Sequence, residues 1–152
     1  MWSGRAADLA LLRLDQPILL PQVVPFVPDW SPVMGQEVGI VSYAKNRSEA
    51  PSLQEVCGIM AQRKNLMVLT CAVEFGASGA PVFAVKDGQV RIVSVVSAKA
   101  QVDGQPVALA VPLMEPLGLL RAAMEADAPR KAPGVRVLSG SGGGAKFIKV
   151  AP

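Results

Sequence analysis

Short apolar runs alternate with turn-forming clusters along this chain, and that rhythm is the first guide to its fold. Glu37 to Tyr43, "EVGIVSY", is rich in β-branched residues, and the polar "KNRSEAPS" follows it as a loop. Val56 to Gln62 and Leu66 to Cys71 read as two strands around "AQRKNL". The clearest hairpin is "APVFAVKDGQVRIVSVVSA", with Asp87-Gly88 between β-branched runs. A further turn, "DGQP", leads into the strand "VALAVPL". Such spacing predicts an all-β domain, an antiparallel sandwich or barrel.

Helical periodicity is confined to "MEPLGLLRAAMEAD", where Leu113, Leu117, Leu120 and Met124 fall on one face. Pro116 is tolerated in a first helical turn. Ahead of the strands, Ala6 to Leu14 is a short apolar run that reads as a strand or a helical turn. Prolines at Pro17, Pro21, Pro25, Pro28 and Pro32 then exclude a long helix. From Ala128 onward Pro, Gly and Ser dominate, and "SGSGGG" reads as a flexible linker before "AKFIKVAP".

Composition narrows the classes. Apolar residues are 51% of the 152, which suits a buried core rather than disorder. The net charge of +3 is dispersed and there is one tyrosine, so no basic, aromatic-laced surface for nucleic acid is predicted. The early apolar stretch is broken by Asp8, Arg13, Asp15 and Pro17, which argues against a membrane span. "MWSGRAAD" has no secretory h-region or cleavage site, and a start falling mid-gene gives the same appearance. Cys57 and Cys71 have no histidine or further thiol to complete a closed zinc site, so no metal site is expected. They are a disulfide or two buried thiols. The intervening turn would bring them together as a hairpin, and a bridge would imply an oxidising compartment.

The stretch "FGASGAPVF", Phe75 to Phe83, poses the functional question, because the chain contains no histidine. Ser78 reads first as part of a tight glycine turn. The strand-to-helix elbow of α/β-hydrolases needs glycine at the fifth position and a helix after it. Ala80 and the β-branched "APVFAV" supply neither. The third reading is acyl transfer in an antiparallel barrel, with backbone N–H groups at Gly76 and Ser78 aimed at a developing oxyanion. Gly79 would let a substrate carbonyl approach closely.

"GASGAPVF" resembles the nucleophile loop of trypsin-like, chymotrypsin-fold serine proteases in its bacterial form. "ADLALLRLDQPI" resembles the segment around that family's triad aspartate, and "VVSA", Val95 to Ala98, its substrate-pairing strand. The likeness runs from about Ala6 to Ala126. It implies that Ser78 is the nucleophile, that Asp8 orients a histidine, and that Gly76 and Ser78 form the oxyanion hole. It also implies substrate contacts at Ala72, Phe75, Ser97, Ala98 and Lys99, and a Cys57–Cys71 bridge beside the specificity pocket. The fold would be the second barrel of a double barrel with a C-terminal helix and an incomplete first barrel. Residues 1–20 would be a remnant of that first barrel, 21–127 the second barrel with its helix, and 128–152 an extension.

The resemblance implies a serine endopeptidase without cofactor, acting on peptide or protein, and secreted or periplasmic. Its pattern is broken in three places. The histidine that should precede Asp8 is missing, so the chain is expected to be the C-terminal part of a protease, inactive alone and lacking most of the N-terminal barrel. Ala77 stands where animal trypsins carry an aspartate that pairs with a freshly cut N-terminus. Ala72 stands where tryptic members place the aspartate that binds basic side chains. Lys99 at the pocket rim would favour an acidic or small polar group, unless Glu74 neutralises it. Neither Lys99 nor Lys86 shows the desolvation that would make it the base of a Ser-Lys hydrolase. Two other readings are a non-catalytic protease-like module that binds peptides or partners, and a generic barrel with a chance turn. The last predicts no convergence of Asp8 and Ser78 in space.

Overall fold

The computed structural model describes residues 7–29, 32–43 and 49–127. Seven strands and one helix follow in order: β1 (Val27–Pro28), β2 (Glu37–Ser42), β3 (Ser52–Arg63), β4 (Leu66–Leu69), β5 (Pro81–Lys86), β6 (Gln89–Val102), β7 (Gln105–Pro112) and α1 (Met114–Ala126). The last six strands close on themselves in the order β6-β5-β2-β3-β4-β7, with β7 pairing back onto β6. All of these pairings are antiparallel. Closure removes the free sheet edges that an open sheet of this size would expose. The small strand β1 lies outside the barrel and runs parallel to β6 at Arg91 and Ile92.

The turn chemistry explains the two long hairpins. Asp87-Gly88 joins β5 to β6 and Asp103-Gly104 joins β6 to β7, all four residues at positive φ. A two-residue hairpin turn whose twist matches its strands needs that conformation, and Asp-Gly adopts it readily. Alternation then sorts the side chains. Val38 and Ile40 on β2, Val82 and Ala84 on β5, and Met67 and Leu69 on β4 point into one core.

Four β-bulges interrupt the alternation, one of them at Met60 on β3, which has no partner on β4. On β3, Glu55 and Val56 both fall opposite Gly39, and Val56 takes φ 58°. A β-branched residue is strained in that conformation. On β6, Val93 has no partner on β5, and Ser97 has none on β7.

The helix packs as its periodicity predicts, with Leu113 and Leu120 buried and Leu117 and Met124 half-buried. Lys64 in the β3–β4 turn reaches Glu115 in its first turn at 3.4 Å. The Ala6 to Leu14 run differs from expectation. Its described part is neither strand nor helix, so no residual strand of a first barrel forms there. From residue 7 to β1 the chain forms an extended strap without a ladder. It is tied by the Arg13 guanidinium, which donates to the Met124 carbonyl at 2.8 Å, and by Phe26, edge-on to Phe83 with centroids 4.9 Å apart. The first half of the polar loop, within residues 44–48, and the 128–152 extension lie outside the described residues. Among the described residues no helix is long and apolar enough to cross a membrane.

Candidate active site

Ser78 owes its position to two consecutive turns. In the first, the Ala77 amide donates to the Glu74 carbonyl, and in the second the Ala80 amide donates to the Ala77 carbonyl. Each has glycine in its third place, Gly76 at φ 94° and Gly79 at φ 86°, where a side chain would strain the backbone. The tight-turn reading of this stretch is therefore correct as local structure, and it is also what lifts Ser78 to the surface. Ala77, between the two turns, is 1% exposed. An aspartate there would be a buried charge in need of a partner.

The loop is stitched onto β6 by two backbone bonds, Gly79 N–H to the Val96 carbonyl at 2.7 Å and Val96 N–H to the Ala80 carbonyl at 2.9 Å. These set Ser78 beside the Ser97 bulge. An unpaired residue in a ladder has its carbonyl and side chain free for other work, and bulges commonly re-aim a side chain in this way. The Ser78 hydroxyl donates to the Ser97 carbonyl at 3.2 Å, and the Ser97 hydroxyl donates to Asp8 Oδ2 at 2.5 Å. Asp8 and Ser78 thus meet on one residue, although 70 positions separate them in sequence. The convergence is what a chance turn on a generic barrel would lack.

Two more elements complete the geometry. Within the Ser78 loop, the backbone bonds to described residues use the amides of Ala77, Gly79 and Ala80, and not those of Gly76 or Ser78. Along the approach, Lys99 lies with its Nζ 3.7 Å from the Phe75 ring centroid and 3.6 Å from Glu74 Oε2. Phe75, Ala72 and Ala98 are exposed. The structure also resolves the cysteines. Cys57 and Cys71 form a disulfide with Cα atoms 5.1 Å apart, which anchors the root of the Ser78 loop to β3.

A family model described as a trypsin-like peptidase domain matches residues 2–91. The chain belongs to this family. The match takes in both Asp8 and the Ser78 loop. The Ser97 bulge that joins those two residues lies beyond the matched span. No curated protein matches the chain.

Two features of this peptidase domain escaped sequence reasoning. Ser97 was expected to act through its backbone, yet its hydroxyl also holds Asp8. The "VVSA" stretch marks the strand, but nothing in it announces a bulge. The second feature is a groove of 1120 Å³ running from Gly76 and Ser78 over the outer face of β2 and β5, lined by Val41, Tyr43, Phe83 and Val85. Its signal was faint: outward positions of β5 that are apolar where a solvated face would be polar.

Among the described residues no group of three or more metal-ligating side chains comes together. The site as it stands has a nucleophile candidate, a carboxylate and free amide donors. Among the described residues the serine has no proton acceptor, because its one partner, the Ser97 backbone carbonyl, does not take a proton near neutral pH. The hydrogen bond from Ser78 to Ser97 therefore positions the hydroxyl without activating it.

Proposed function

We propose that the chain carries the nucleophile half of a serine endopeptidase, with Ser78 attacking a peptide carbonyl and Asp8 orienting a histidine that these 152 residues do not contain. The observation that carries the reading is the meeting of Asp8 and Ser78 at Ser97. In acyl transfer of this kind an imidazole takes the hydroxyl proton through one nitrogen and donates to the carboxylate through the other. The Gly76 and Ser78 amides would stabilise the tetrahedral oxyanion, a role worth roughly 3 kcal/mol per donor in enzymes of this chemistry. Peptide would lie along β6 past Ser97, Ala98 and Lys99. The apolar groove over β2 and β5 would receive the N-terminal barrel that brings the histidine, with residues 1–20 belonging to that barrel. The buried disulfide favours an extracellular or periplasmic setting.

A second reading is favoured by one observation, the absence of histidine from the sequence. On it the same cleft binds peptides without cutting them. The two readings separate in a hydrolysis assay. The 152-residue chain alone should show no turnover of a casein or peptide substrate. Joined behind a histidine-bearing N-terminal barrel it should turn over, and Ser78→Ala should abolish that activity. Failure of the joined, folded protein to cut any peptide would favour the binding module.

A further inference from the structure

A cation is held by the residues that lead into the candidate nucleophile's loop, and the hydrolytic chemistry does not use it. Lys99 lies two residues past Ser97 on β6, while Glu74 and Phe75 lie just ahead of the turn that presents Ser78. The ammonium is held against the two residues that lead into the Ser78 turns, 3.7 Å from the Phe75 ring centroid and 3.6 Å from Glu74 Oε2.

The two contacts differ in kind. The aromatic face holds a cation and shields one side of it from water, but it leaves the charge intact. The carboxylate neutralises the charge but holds it weakly. Glu74's side chain is 75% exposed and that of Lys99 39%, so the ion pair is screened and entropically costly. A second carboxylate arriving on a peptide would lose little by displacing Glu74, and would find an ammonium already positioned by the ring. An incoming lysine or arginine would meet like charge.

We propose that Lys99 selects the peptide side chain that enters beside Ser78, that it favours a carboxylate, and that Glu74 occupies the ammonium as an internal competitor until such a peptide arrives. This rests on the reading of the cleft as a peptide site. It requires opposite effects from the two partners of one ion pair, which a merely structural salt bridge would not give.

The test uses the full chain, labelled with nitrogen-15, and three acetylated, amidated pentapeptides that differ only in a central Glu, Gln or Lys. The Glu peptide should shift the amide signals of Phe75, Ser97 and Lys99 and bind about tenfold tighter than the Gln peptide at low salt, the advantage shrinking as salt is raised. Glu74→Gln should tighten the Glu peptide about threefold, and Lys99→Gln should erase the advantage of the Glu peptide over the Gln peptide. Equal binding of the Glu and Gln peptides, or a Glu preference that survives Lys99→Gln, overturns the role of Lys99 and leaves the cleft reading standing. If no peptide shifts any signal around Ser78 and Ser97, both are overturned.

Discussion

The strap from residue 7 to Phe26 and the barrel that follows are built from similar apolar side chains, yet they place them in opposite environments. In the barrel, Leu69 and Met67 are fully buried, and every strand has a partner on both sides. In the strap, Leu19 is 82% exposed and Val24 74%, with no ladder beneath them. The difference lies in closure. A barrel strand buries one face because five others close around it, whereas a lone extended segment needs a surface brought from elsewhere. The strap is held by a few specific contacts: Ser97 to Asp8, Arg13 to the Met124 carbonyl, and Phe26 against Phe83. Asp8 therefore reaches the site through hydrogen bonding rather than burial. On our proposal, the exposed apolar side chains of the strap and of the groove are the surface that a first barrel covers.

The largest expected effect tests that contrast directly. Leu69→Ala should cost about 3 kcal/mol of stability through lost burial and a cavity. Leu19→Ala should change it by less than about 0.5 kcal/mol in the same urea titration. Comparable losses from both would mean that the strap is buried in solution.

The disulfide should matter nearly as much, and only on the barrel side. It closes a loop with a sequence separation of 14 at the root of the Ser78 loop. In the chain-entropy model a loop of this size is worth about 3 kcal/mol. The double variant Cys57→Ala/Cys71→Ala should lower the melting temperature accordingly. It should leave limited proteolysis of the strap unchanged. Unaltered melting would show that β3 and the loop are held together without the bridge.

A smaller effect should carry the opposite sign. Val56 is held at φ 58° with its side chain exposed, a strain that the closed ladder around it sustains. Val56→Gly should stabilise the protein by about 1 kcal/mol, since glycine accepts that conformation freely. Val24→Gly in the strap, which relieves no such strain, should give no gain. Chemical denaturation of the two variants side by side reads the difference.

Much of the barrel was legible in the sequence because its cues are local. Asp87-Gly88 and Asp103-Gly104 fix hairpins within four residues, and the helix declares itself through Leu113, Leu117, Leu120 and Met124. The strap was not legible, because an apolar run such as "ALLRL" specifies structure only against a partner surface. The start of β3 was placed four residues late: Ser52 to Glu55 are polar-rich, and the bulge at Val56 breaks the period of two. Strand β1 is too short and too proline-rich to register as a strand. At the candidate site, Asp8 and Ser78 stand out only through the neighbours that carry the family resemblance. The Ser97 hydroxyl bridge was not, because it depends on a bulge that only the β6–β7 register reveals.

The central claim is that Ser78 is placed for attack and lacks only its base, and covalent labelling tests this most directly. A serine-directed fluorophosphonate is applied to the 152-residue chain and to the same chain joined behind a histidine-bearing N-terminal barrel, and the adduct is located by mass spectrometry. The account predicts labelling of Ser78 in the joined protein and none above other surface serines in the chain alone. Labelling at Ser78 that is equally fast in both, or absent from a folded joined protein, would contradict it.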